Sequence, residues 1–172
     1  MPFTIPDELG EVDAALLKQA TGWYELGLMR DGVECLNALS SGGSWHQSVL
    51  KLRINLLRRS GNFDMALDLA YEFTDAHANR SESWLALASV YRAAGEPEKA
   101  LSCLLAVQNQ FLSEPLFVYE LVLCVCDCSK LHEGATWLSL ALSLGNKETQ
   151  KAIQRAALDD PRLERLWLKR QS

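Results

Sequence analysis

The stretch Ser81-Glu-Ser-Trp84-Leu-Ala-Leu87-Ala88-Ser-Val-Tyr91-Arg-Ala-Ala-Gly95-Glu-Pro97-Glu-Lys-Ala100-Leu-Ser-Cys-Leu104 decides the fold. Trp84, Ala88 and Tyr91 stand at i, i+4 and i+7, with Leu87 beside them, which is the spacing of one apolar helix face. Gly95 follows that face, where a left-handed residue ends a helix without a Cβ clash. Pro97 then suits the first turn of a new helix, because its missing N–H is not needed there. Ala100 and Leu104 continue the second face. The stretch predicts a helix, a tight turn and a second helix.

Steps of 34 residues outward from it find the same pattern. Gly27, Gly61 and Gly95 form one series. Trp23, Leu57, Tyr91 and Val125 form another, as do Leu16, Leu50, Trp84 and Val118. The small residues Gly32, Ala66, Ala100 and Gly134 recur in the same register, predicting close approach of the two helices. Leu36, Ala70, Leu104 and Leu138, and Leu39, Phe73, Val107 and Ala141, complete it. The glycine series ends at Ser129. The first helices are predicted at about 13–26, 47–60, 81–94 and 115–128, and the second at about 30–40, 63–76, 97–110 and 131–144. A ninth runs from about 147 to 158, Asp160-Pro161 breaks it, and a short helix closes at Arg162 to Lys169. No segment carries the period-2 pattern of a strand outside a helical register.

A 34-residue helix pair carrying Trp84, Leu87, Ala88, Tyr91, Gly95, Ala100 and Leu104 resembles the tetratricopeptide repeat (TPR). The second unit keeps Leu50, Ile54, Leu57, Gly61, Ala66 and Phe73 but puts Arg53 at an apolar position. The first is looser, the fourth diverges most, and the proline common at the repeat end is replaced by Ser44, Ala78, Leu112 and Asn146. The closing segment from Ala156 to Trp167 is similar to the end of many small bacterial repeat proteins of this type. The resemblance implies an all-α fold, a right-handed α-solenoid of four helix–turn–helix repeats. These span about 13–46, 47–80, 81–114 and 115–148, with a C-terminal cap at 149–172, in one domain over 1–172. Stacked helix pairs share a continuous core, and the end repeats need polar outer surfaces.

Composition limits the function. Apolar residues are 48% and charged residues 23%, ordinary for a folded soluble chain. No stretch of about 18 apolar residues is present, so no membrane span or membrane partner is expected. Residues 1–10 lack the basic and apolar regions of a signal peptide. The net charge of −5 argues against a nucleic-acid partner. Cys35, Cys103, Cys124, Cys126 and Cys128 are odd in number and crowded, a poor disulfide framework, which favours reduced thiols in the cytoplasm.

The resemblance also places a concave groove on the face of each first helix opposite its partner. Here that face holds Leu17, Thr21 and Tyr24, then Lys51, Asn55, Arg58 and Arg59, then Leu85, Ser89 and Arg92, and finally Tyr119, Leu123 and Cys126. Lys51 and Asn55 match the first two positions of the family's carboxylate clamp. Ala86, Leu116 and Glu120 stand where an amide and two basic residues are required, so a chaperone-tail clamp is rejected. Lys51, Arg58, Arg59 and Arg92 remain a basic centre suited to an acidic or C-terminal carboxylate group. The competing reading is a solvated charged face. Tyr24 and Tyr119 are candidate peptide anchors. Trp23, Phe73, Trp84 and Tyr91 are expected in the core, and Trp167 is expected to pack the closing helix.

Nothing forms a catalytic site, and no cofactor is expected. Cys124, Cys128 and His132 would share one stripe only across an unbroken helix, and the repeat places a turn there, so no metal site is expected. His46, His77 and His132 lie near helix ends as surface residues or C-terminal dipole partners. Gly42-Gly43, flanked by serines, reads as a flexible loop. The leading function is a non-enzymatic adaptor that binds a protein or peptide partner along the groove. The alternatives are a chaperone for secreted proteins and a self-assembling subunit, a homo-oligomer joined through an incompletely capped end.

Overall fold

The computed structural model describes residues 8–164 and residue 166. Among these, nine α-helices follow one another without a strand: α1 (Glu11–Glu25), α2 (Met29–Asn37), α3 (Gln47–Arg59), α4 (Phe63–Ala76), α5 (Ser81–Ala93), α6 (Pro97–Phe111), α7 (Pro115–Asp127), α8 (Leu131–Ser143) and α9 (Lys147–Asp159). Short 3-10 turns lie at Gly43–Trp45 and Pro161–Leu163. Within each of two compact units, consecutive helices pack as in a helical repeat array. One unit holds α1–α5 up to Ala93 and the other holds α6–α9 from Ala94.

The 34-residue step is a step in backbone geometry. Gly27, Gly61 and Gly95 have φ of +79°, +75° and +82°. At the first turn, the N–H of Leu28 donates to the Trp23 carbonyl (2.9 Å) and that of Gly27 to Tyr24 (3.1 Å). The same pair of bonds recurs at Asn62 and Gly61, closing the last turn of α3. Ser129 has φ +62°, with Lys130 bonded to Val125 and Ser129 to Cys126. The fourth repeat departs in residue type and keeps the conformation.

The second helices bury their periodic residues in every repeat. Leu36, Ala70, Leu104 and Leu138 are at most 1% exposed, and Leu39, Phe73, Val107 and Ala141 at most 9%. Gly32 and Gly134 are small because there is no room. A Cβ on Gly32 would lie 3.0 Å from Leu56 Cδ2 and 3.4 Å from the Ala20 carbonyl, and one on Gly134 would lie 2.8 Å from Cys126 Sγ.

In the first unit, Ala20, Leu36, Leu39, Val49, Leu52 and Leu56 form a core cluster flanked by Leu16, Leu17 and Tyr24. Arg53, at a position the repeat reserves for an apolar residue, donates from Nη2 to the Leu36 carbonyl (2.9 Å) in the last turn of α2. It supplies the partner that this helix end lacks. Two expectations are corrected by one side chain. The Asp13 carboxylate accepts from the Ser40 N–H (3.0 Å) and from its hydroxyl, so α2 stops at Asn37 and does not run to residue 40. The same carboxylate packs over Gly43, where a Cβ would fall 2.1 Å from Asp13 Oδ2. Gly42 therefore leads into a 3-10 turn at Gly43–Trp45, with Gly43 buried, where the sequence predicts a flexible loop.

In the second unit, Val118, Val122, Leu138, Ala141, Ile153, Ala157, Leu163 and Leu166 form one cluster. Asp160 caps the closing 3-10 turn by accepting from the Arg162 N–H. Arg162 Nη1 reaches the Asp127 carboxylate at the end of α7 (2.9 and 3.2 Å). The break at Asp160-Pro161 is as expected. Half of the predicted helix from Arg162 to Lys169, including Trp167, lies outside the described residues.

Candidate functional site

The first unit contributes three of the four predicted first-helix faces. On α1, Leu17 and Tyr24 are half-buried against the core cluster, and Thr21 donates its hydroxyl back to the Leu17 carbonyl (2.8 Å). On α5, Ser89 likewise donates to the Ala86 carbonyl (2.8 Å), and Arg92 is half-buried in the last turn. Both hydroxyls are satisfied within their own helices.

The basic residues of α3 fall into two groups. Arg59 is exposed, and its guanidinium lies 4.6 Å from the centre of the Tyr24 ring while Nη1 donates to the Tyr24 carbonyl (3.1 Å). This pair ties the C-terminal turn of α1 to that of α3 through a cation–π contact and a helix-end carbonyl. Tyr24 and Arg59, read from the sequence as two separate groove positions, are one structural unit. Arg58 differs. Its side chain is half-buried, and its Nε is shielded from water with no hydrogen-bond partner among the described residues. Lys51 is exposed two turns away on the same stripe, with half-buried Asn55 between. Lys51 borders a shallow pocket of about 110 Å³ with Gln47, Ser48, Phe73 and Glu82. Glu82 makes this end of the stripe mixed in charge.

Tyr119 belongs to the second unit, where it is half-buried against that unit's core cluster with Leu123 and Cys126. Cys126 lies beside Gly134 of α8, so its sulfur faces the partner helix and not the opposite face expected of it. Core placement holds for Phe73 (0% exposed) and Tyr91 (8%). Trp23 and Trp84 are only half-buried, and Trp84 Nε1 donates to the Ala78 carbonyl (2.9 Å). The Tyr71 and Tyr91 hydroxyls are hydrogen-bonded partners, a link without a repeat signal.

The cysteines and histidines take structural positions. α7 ends at Asp127 and α8 begins at Leu131, so Cys124 and His132 sit on different helices. None of the five cysteines forms a disulfide. Burial pushes the Cys103 thiol up to about 12. His46 is the N-cap of α3, its Nδ1 accepting from the Ser48 N–H (3.3 Å). His77 caps the end of α4, edge-on to Phe73 at 5.3 Å. Burial holds its imidazole below the ordinary value, helped by the Arg80 and His46 charges and opposed by a bond to the Trp45 backbone. His46 thus stands at a helix start and His77 at a helix end, where burial favours its neutral form. Among the described residues, no three His, Cys, Asp or Glu side chains converge to hold a metal ion, and no helix is long and apolar enough to cross a membrane. No protein-family model matches the chain, and no curated protein matches it.

Proposed function

We propose that this chain is a TPR-type adaptor of the cytoplasm, without enzymatic activity, whose α3 stripe binds an acidic segment of a partner protein. The observation that carries the reading is the α3 stripe of Arg58, Asn55 and Lys51. A carboxylate that reaches the half-buried Arg58 guanidinium gains a charge-assisted hydrogen bond. Lys51, exposed on the same stripe, and Asn55 between them add a second charge and an amide. Arg59 is engaged with Tyr24 and serves to fix the stripe. Five cysteines outside any disulfide fit a reducing compartment.

The test is fluorescence anisotropy with a labelled peptide rich in Asp and Glu and ending in a free carboxylate. Saturable binding that weakens from low to high salt is expected. Arg58→Glu combined with Lys51→Glu should reduce affinity by about 100-fold or more, as expected for loss of desolvated charge pairs. Equal binding by the double variant would remove this stripe as the site.

A further inference from the structure

We propose that α1 carries a self-complementary face through which two copies of this chain pair antiparallel. Val12, Leu16, Gln19, Trp23 and Leu26 step by 4, 3, 4 and 3 residues, so they form one stripe, with the small residues Ala15 and Gly22 beside it. Val12 is 74% exposed and Leu26 72%. Ala15 and Gln19 are also exposed, and Leu16, Gly22 and Trp23 are half-buried.

The repeat itself says that the middle of this face, at Ala15, Gln19 and Gly22, is built to be covered. Steps of 34 residues from Ala15 reach Val49, Ser83 and Phe117, and from Gly22 reach Leu56, Val90 and Cys124, all of them 0% exposed. Gln19 maps to Leu87 (2%) and Leu121 (0%), and to Arg53, whose guanidinium meets the Leu36 carbonyl. On α3 the cover is α2: Leu56 lies against Gly32, where only a hydrogen fits. Among the described residues, no helix does the same for α1.

The stripe fits its own inverse. Reversed about Gln19, Val12 faces Leu26, Ala15 faces Trp23, Leu16 faces Gly22, and Gln19 faces Gln19 of the second copy. Large thus meets small beside the centre, and two primary amides offer each other both donors and acceptors. Two such faces remove on the order of 1,000 Å² from water, at the lower limit for a specific interface, so the dimer is weak. Its symmetry is twofold and isologous, so it stops at two copies. The antiparallel register places Glu25 opposite Asp13 of the second copy, and each chain carries −5, so salt strengthens the pairing. A head-to-tail pairing through α9 fits less well, because the exposed side of α9 carries Lys147, Lys151 and Arg155, with Leu158 its one large apolar residue.

Sedimentation velocity on the full chain, from about 5 µM to about 1 mM at low and high salt, tests this, a range that brackets weak association. A reversible monomer–dimer equilibrium that tightens with salt is expected. Gln19→Glu, which opposes two carboxylates on the axis, and Leu26→Glu should each weaken it at least about tenfold with unchanged circular dichroism. Leu158→Glu should leave it unchanged. A monomer at every concentration, growth beyond dimers, or a dimer broken by Leu158→Glu and not by Gln19→Glu would overturn the proposal.

Discussion

Ser129 is the residue where the repeat pattern and the backbone part company. Its φ of +62° costs an L-residue roughly 1–2 kcal/mol that glycine avoids. The two hydrogen bonds that close the turn do not involve its side chain, and the residue is exposed. Ser129→Gly should therefore stabilise the protein by about 0.5–1 kcal/mol, the gain in the turn being partly offset by added freedom in the unfolded chain. Thermal unfolding of the two proteins decides it, and an unchanged or lower midpoint would refute the strain. The turn was legible from Gly27, Gly61 and Gly95. The partners of Asp13 and Arg53 were not, because each reaches a backbone group 27 or 17 residues away that no local spacing encodes.

At the scale of elements, helix limits followed the periodic apolar residues closely, since burial of one face selects the period. They failed where a side chain from another helix took the terminal groups, as at Ser40. The candidate stripe was legible in the same partial way. The spacing of Lys51, Asn55 and Arg58 puts them on one side of α3, but the spacing does not say that Arg59 is engaged with Tyr24. The junction of the Gly43–Trp45 turn, α3 and α4 carries a pH dependence that spacing also hides. In the folded state, His77 is held below its ordinary value by burial. The unfolded chain therefore binds a proton more readily below about pH 6.5, and stability rises with pH there. The contribution is present above about pH 6.5 and is lost as the pH falls through the lower folded value. The residue is only half-buried, so solvent screening keeps the effect below about 1 kcal/mol. Urea unfolding at pH 7.5 and pH 5.5 should show a lower midpoint at the acidic pH, and His77→Gln should shrink that difference. An undiminished difference would assign it to other groups.

On the scale of the whole molecule, a repeat chain is stabilised by neighbour-to-neighbour packing, so damage should stay local. Leu163 makes a sharp test. It is 0% exposed, lies past the last complete helix, and joins Val118, Val122, Leu138 and Ile153 in the core of the second unit. The ion pairs of Arg162 with Asp127 and Asp160 hold the turn that presents it. They raise the guanidinium's pKa above its ordinary value, with the Asp160 hydrogen bond the main cause. Leu163→Ala removes a buried side chain and leaves a cavity, at a cost of about 2–4 kcal/mol. Native-state hydrogen exchange should then quicken in α7, α8 and α9, which share that cluster, and leave α1–α3 unchanged. Uniform quickening through all nine helices would mean that the chain opens as one cooperative unit. No change in α7–α9 would mean that the segment after Asp160 adds nothing to the core it enters.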